Sequence, residues 1–413
     1  MRKYFGLLAA TGLATVPVLS LAAGPTLSDV LVSSGISAAG YVDGSYEATF
    51  NSTDGATKGA VPLHQFDTNA NSFMLNQAGL TLSYLPTAGF GAAVNLIAGE
   101  DAKVINGAYG DGSGDFALTQ GYVQYAVGNL TVIGGRFVTL AGEEVIDDTK
   151  NSNVSRSLLF TNVEPLVHTG VRASYKFNDQ FTGTLGVNNT ALGGSVGQDA
   201  DKQKTAEFGL AYTPTSAISV SLADYYGVDN ASAFDFADGT QVSKNTKNNY
   251  LDLVASWQAT SALQFALNGD YARSIGATST FPSLFEIATA TPPYVGSDSV
   301  TGVATYVNYS FNDRWKASLR AESLYAKASS DTGDTAGVHV SELTLTGDYS
   351  ASKSFDVLAE GRVDYASDFT AADAVGDSVS TPVFPGGNDN AGRKSQPEIL
   401  LKAIYKFGTP ASS

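Results

Sequence analysis

The stretch from Val303 to Glu322 is the unit that most limits what this chain can become. Val303, Thr305, Val307, Tyr309 and Phe311 share one parity, while Gly302, Ala304, Tyr306 and Asn308 share the other. After Asn312, Asp313 and Arg314 the alternation resumes, with Trp315, Ala317, Leu319 and Ala321 set against Lys316, Ser318, Arg320 and Glu322. Successive side chains of a strand point to opposite faces, so the stretch predicts a tight hairpin with one apolar and one polar face. The pattern recurs in candidate strands over 36–50 and 72–84, and in the strand that carries Phe90, Ala92, Val94 and Leu96. It ends in a strand over 398–407, where Ile399, Leu401, Ala403, Tyr405 and Phe407 alternate with Glu398, Lys402 and Lys406.

The connections repeat too. Short turns fall at 85–88, 128–129, 178–180, 214–216, 259–261, 312–314 and 350–353. Long polar segments fall at 51–71, 99–116, 139–166, 189–204, 227–247, 272–298, 326–336 and 366–395. About eight long loops and seven short turns imply about sixteen strands, an even number as a closed bacterial transmembrane barrel requires. The predicted fold is therefore all-β, an antiparallel up-and-down barrel with short periplasmic turns and long extracellular loops, and with both termini on the short-turn side.

The rings test that arrangement. Tyr84, Phe90, Tyr125, Tyr175, Phe177, Phe181, Tyr212, Trp257, Tyr309, Phe311, Trp315, Tyr349, Phe355, Tyr405 and Phe407 all carry the apolar parity and lie beside a short turn or the last strand. Amphipathic rings favour the headgroup boundary, so one girdle at the periplasmic rim accounts for the clustering. A soluble sandwich or propeller supplies no such cause.

Arg2 and Lys3 precede an apolar run to Leu21, and Ser20, Ala22 and Ala23 are small enough for cleavage. Residues 1–23 thus read as a signal peptide, and 24–413 as a single barrel domain. No stretch beyond it approaches the length of an apolar transmembrane helix. The 413-residue chain has no Cys, which removes disulfides and thiolate chemistry, and its formal charge of −16 argues against nucleic acid as a partner. Without Arg2 and Lys3 that charge moves from −16 to −18. A short lead before the first strand leaves no room for a plug domain, so a plugged transporter is not expected.

The polar parity carries Arg172, Lys176, Lys316, Arg320, Arg362, Lys402 and Lys406 against acids that include Asp43, Glu47, Glu207, Asp252, Asp270, Glu322, Glu360 and Glu398. An Arg or Lys facing lipid at the midplane costs about 2–4 kcal/mol, so this parity must face a lumen. The segment 140–166 is too long for a plain connection, and loops above about 15 residues are often functional. One reading folds it inward to narrow a pore, with Glu143, Glu144, Asp147, Asp148 and Arg156 setting the field and Arg172, Lys316, Arg320 and Arg362 on the wall. The other leaves it outside, or makes a short strand pair through 157–160.

From Val132 to Tyr175 the sequence reads VIGGRFVTLAGEEVIDDTKNSNVSRSLLFTNVEPLVHTGVRASY. Gly135, Arg136 and Phe137, Gly142 and Glu144, Asn153, Ser155, Arg156 and Ser157, and Pro165, His168, Thr169, Gly170 and Arg172 resemble the OmpL-like β-barrel porins of bacterial outer membranes. FMLNQAGLTLS from Phe73 and the GYVQY that follows share the likeness. Phe407 departs from it, being followed by GTPASS rather than ending the chain. The resemblance implies an outer-membrane channel that passes small hydrophilic solutes and ions by diffusion, set in bilayer and lipopolysaccharide, without naming a solute. A homotrimer is expected by analogy with other sixteen-stranded porins. A non-conducting barrel for adhesion or surface structure is the alternative. No enzyme, metal site or cofactor is expected: His64, His168 and His339 form no recognisable constellation, and YGDGSGDF at 109–116 lacks both the P-loop and the EF-hand spacing.

Overall fold

Trp315 stands directly across from Tyr349, and Phe355 from Tyr405, because the alternation of the hairpins brings like faces into register. The computed structural model describes residues 31, 33–50, 61, 63–69, 71–108, 114–191, 202–235, 240–277, 295–333, 335–372, 378–381, 383–384 and 393–408. The predicted leader and residues 109–113 lie outside them.

The wall begins with β1 (Ser37–Thr49), β2 (Ser72–Tyr84), β3 (Gly89–Ala98), β4 (Phe116–Val127) and β5 (Leu130–Val138). It continues through β6 (Val167–Lys176), β7 (Phe181–Asn188), β8 (Thr205–Thr215), β9 (Ile218–Asp235) and β10 (Thr240–Gln258). β11 (Leu263–Ala277), β12 (Val295–Ser310), β13 (Trp315–Ser330), β14 (Thr335–Ser352) and β15 (Phe355–Ala366) follow. β16 (Phe369–Ala372) and β17 (Ser378–Thr381) make a small hairpin that prolongs the sheet on β14. β18 (Ser395–Gly408) then pairs with β15 on one side and β1 on the other, closing a sixteen-strand antiparallel barrel. Closure leaves no edge whose backbone groups would face lipid unsatisfied.

The wall is uneven. β3, β5, β6 and β7 have 10, 9, 10 and 8 residues, near the length that crosses a bilayer, whereas β9, β10 and β14 have 18, 19 and 18. This changes three of the predicted loops. Much of 227–247 is paired strand, with Lys247 across from Val228 and Thr240 from Asp235. The ends of 272–298 and 326–336 are paired likewise. Beyond the membrane a strand no longer needs an apolar outer face, so its alternation fades and it reads as loop. The 99–116 loop also holds a helix, α1 (Glu100–Ala108).

The girdle forms. Along the short-turn rim Phe90 meets Tyr125 with ring centres 4.9 Å apart, Tyr175 meets Phe177 at 5.1 Å, and Trp315 meets Tyr349 at 4.7 Å. The interior is less uniform than the sequence suggested. Tyr225, Tyr250, Val300, Leu324, Val338 and Val340 face inward and are buried against Leu63, Leu158, Leu159 and Val163. Part of the lumen is therefore an apolar core rather than water.

Candidate pore constriction

The segment between β5 and β6 leaves the wall at Val138 and returns at Val167. Its departure is fixed by Tyr225 of β9, whose hydroxyl accepts from Leu140 N at 2.9 Å and lies 3.1 Å from Thr139 Oγ1. A turn of 3₁₀ helix follows over Asp148–Lys150, capped by Asp147, whose Oδ1 accepts from Thr149 N at 3.0 Å. The segment then forms α2 (Leu158–Asn162), whose N-cap Ser157 accepts from Phe160 N at 2.9 Å. Ser157–Phe160 is thus a cap and helix, and the strand pair considered for it does not form.

The far contacts decide where the segment lies. Val154 N and Ser155 N donate to the Glu360 carboxylate of β15 at 2.6 and 3.0 Å, and Ser155 Oγ donates to it at 2.5 Å. Asn153 Nδ2 donates to Thr346 Oγ1 of β14 at 2.7 Å. Arg320 of β13 donates to Glu144 Oε1 at 2.6 Å and to Ser155 O at 2.8 Å. β13 is half the barrel away from β5, so a segment anchored on β5 and β6 that binds β13, β14 and β15 crosses the lumen. Gly302 of β12 makes room for α2, since a Cβ there would stand 2.4 Å from Leu159 Cδ2.

The sequence-derived residues separate into groups. Glu144 and Arg320 come together, Arg320 also pairing with Glu322 and Glu342 at 2.8 and 2.7 Å. Asp148 sits between Arg156 and Lys402, both buried. Burial alone would raise the Asp148 carboxyl, but Arg156 and Lys402 outweigh it and hold it below the usual carboxylate range. Arg172 grips Glu207 through two bonds of 2.5 and 2.9 Å on β6 and β8, and its guanidinium lies 4.3 Å over the Phe137 ring. Arg362 pairs with Asp67 and Glu398, away from the 140–166 segment. Glu143 is half-buried, its backbone N–H donating to Asn268 Oδ1 at 2.7 Å. Lys316 stays largely accessible, 3.9 Å from Asp348.

Among the described residues, two cavities flank the segment. One of about 380 Å³ lies on the short-turn side and is lined by Asp148–Ser152, Lys316, Asp348, Asp356 and Lys406. The other, of about 180 Å³, lies against β2, β3 and β4 and is lined by Thr81, Asn95, Gln120 and 144–147. Lys150 lines both. Its ammonium is 3.5 Å from Asp147 and its side chain is 69% exposed. The sequence places Glu360 and Gln77 on the polar parity without a part in the constriction, and it gives no sign of Lys150. Gln77 Nε2 donates to Ile146 O at 2.8 Å, a partner 69 residues away that no local pattern points to.

A closed sixteen-strand barrel with an aromatic rim, a charged interior and a segment folded across its lumen defines a porin-type outer-membrane channel. The sequence matches the family described as "Putative beta-barrel porin-2, OmpL-like" over residues 35–407, and the chain belongs to that family. As a member of that family it is an outer-membrane porin. Among curated protein sequences none matches it. Solved structures similar in fold include OprB of Pseudomonas putida, with 13% identity and a TM-score of 0.54 over 92% of this chain and 96% of that one. The outer-membrane protein OmpT of Vibrio cholerae has 13% identity and a TM-score of 0.53, over 90% and 97% of the two chains. The outer-membrane channel DcaP of Acinetobacter baumannii has 13% identity and a TM-score of 0.51 over 90% and 97%. At such identities the likeness concerns the fold.

Proposed function

We propose that the 139–166 segment is the constriction of this porin, and that small hydrophilic solutes and ions pass beside it at Asp147 and Lys150. The observation that carries this reading is the crossing itself, a segment rooted on β5 and β6 and bonded to Glu360 and Arg320 on the far wall. Glu144, Asp148, Arg156 and Arg320 act as tethers, because each is buried and already paired. The field at the passage falls to the accessible charges, Asp147, Lys150 and Lys316. Residues 1–23 serve as the export leader, removed before insertion. The channel does no covalent chemistry, and His168, stacked on Tyr225 at 4.4 Å between ring centres, is a packing residue.

A homotrimer is part of the proposal. Its support is the low wall over β3–β7 beside the tall wall over β9–β14, a shape that suits neighbours meeting along the low side. OmpT of Vibrio cholerae is known in a trimer form, with 14% identity and a TM-score of 0.52.

Planar-bilayer recording of the refolded mature chain under a salt gradient tests the channel, and deletion of Glu144–Ser152 tests the constriction. Stable steps that become larger in the deletion variant are expected. Steps of unchanged size would move the constriction elsewhere, and a silent but folded barrel would turn attention to adhesion.

A further inference from the structure

The first long loop brings a second chemistry into the lumen. Residues 63–69 fold inward, where His64 is 1% exposed and Asn162 Nδ2 of α2 donates to Leu63 O at 2.9 Å. His64 Nε2 lies 3.2 Å from Asp364 Oδ2 and 3.9 Å from Glu342 Oε2. Glu342 and Asp364 are direct partners across β14 and β15, both buried. Like charges set opposite one another destabilise a sheet unless a cation lies between them.

The surrounding cations are heavily committed. Arg320 and Arg362 between them touch Glu144, Glu322, Glu342, Asp67, Asp364 and Glu398. His64 Nδ1, Asp364 Oδ1 and Glu342 Oε2 make no hydrogen bond among the described residues, and His64 Nε2 faces Asp364 Oδ2 as its one close partner. The three donors lie within 4.8 Å of one another.

We infer that His64, Glu342 and Asp364 form a binding site for a divalent transition-metal cation of the Zn²⁺ class, which fastens the first loop to the wall. Bonds of about 2.0–2.1 Å in a tetrahedron place neighbouring donors about 3.3–3.4 Å apart, close to the 3.2 and 3.9 Å separations here. The imidazole selects this class over Ca²⁺ or Mg²⁺, which prefer all-oxygen shells. Asp67 Oδ2 lies 3.9 Å from His64 Nδ1 and is held by Arg362 at 2.6 Å, on the side where a carboxylate orients a metal-bound histidine. Three protein donors leave a fourth position for water. The ion would bridge the loop to β14 and β15, and through Leu63 and Asn162 it would steady α2.

Isothermal titration of the chelator-treated, refolded barrel with ZnCl₂ tests the site. One Zn²⁺ per chain is expected, lost in His64→Ala and in Asp364→Asn and kept in His339→Ala, with folding of each variant confirmed by heat-modifiable gel mobility. His64→Ala changes only the loop, so the readout survives even if the wall variant fails to fold. Absence of binding by the folded wild-type barrel, or binding undiminished in His64→Ala, would overturn the site. Channel conductance that responds to pH through His64 while ignoring Zn²⁺ would also overturn it, giving the fastening to a proton. Because binding is read by heat, its failure leaves the channel reading untouched.

Discussion

Glu360→Ala is the sharpest way to unfasten the crossing segment. The Glu360 carboxylate accepts from Val154 N, Ser155 N and Ser155 Oγ at 2.6, 3.0 and 2.5 Å, and Thr346 Oγ1 donates to it at 2.6 Å. Hydrogen bonds to a charged group are worth about 1.5–3 kcal/mol each, and those sharing one carboxylate do not add fully. Leaving two buried amides unmet should therefore cost the docked segment about 3–5 kcal/mol. At about 1.4 kcal/mol per tenfold, that is a factor of roughly 10² to 4 × 10³ in the docked-to-released ratio. The wall keeps its strand pairing, so the barrel should fold and migrate as wild type. Single-channel records should show larger steps and frequent transitions between two levels, with Glu360→Gln intermediate because it keeps one acceptor oxygen. A folded Glu360→Ala barrel with wild-type step size and quiet open channels would refute the claim that this contact holds the constriction.

Lys150→Glu should move the reversal potential in a salt gradient towards cations, because it replaces an exposed cation that lines both cavities beside Asp147. Lys402→Met should disturb selectivity less than packing, since Lys402 is buried against Asp148; its readout is a lower melting temperature with a nearly unchanged reversal potential. Gly302→Val should overpack Leu159 and cost about 1–3 kcal/mol, seen as faster proteolysis within 153–159 of a barrel that remains folded. Burial, with Glu144 and Asp252 adding to it, pushes the Glu143 carboxyl from 4.5 up to about 7. The folded chain then holds that proton more tightly than the unfolded chain, so this group's contribution to stability is full below 4.5 and falls as pH rises to about 7. Glu143→Gln should flatten that part of the slope of melting temperature against pH; an unchanged slope would assign it to other groups.

How far the sequence could be read depended on what each face of a strand touches. Lipid accepts only apolar side chains, so the outer parity of Leu319, Leu343, Leu345 and Leu401 had to alternate with charge, and the hairpins and the girdle were legible. The inner parity obeys no single solvent. Where it meets water or a tether it carries Arg320, Glu360 or Lys402; where it meets α2 and the first loop it carries Val300, Val338 and Val340. Apolar residues on both parities of β12 and β14 were the trace of a filled lumen. The landing points themselves were not legible. Arg320 meets Glu144 across 176 residues of sequence and Ser155 meets Glu360 across 205, and no local pattern joins such partners. The same distance hid His64, which reads as a loop histidine until closure of the barrel brings β14 and β15 to it.

The charge of the chain and the charge of its passage are therefore different quantities. A formal −16 would suggest a cation channel if the acids lined the pore freely. Yet the most central acids are consumed in holding the segment, since Glu144 answers Arg320, Asp148 answers Arg156 and Lys402, and Glu360 answers backbone amides. Burying those pairs costs desolvation that only good geometry repays, and removing one partner leaves the other charge stranded, at a cost of about 3–5 kcal/mol. Such groups are fixed by their structural task and cannot drift to suit a solute. Selectivity is left to side chains that make few contacts and remain wet, Lys150 at the passage and Lys316 below it. Those positions can change sign without loosening the segment, so charge exchange there should retune the channel while exchange at the tethers should only open or unfold it.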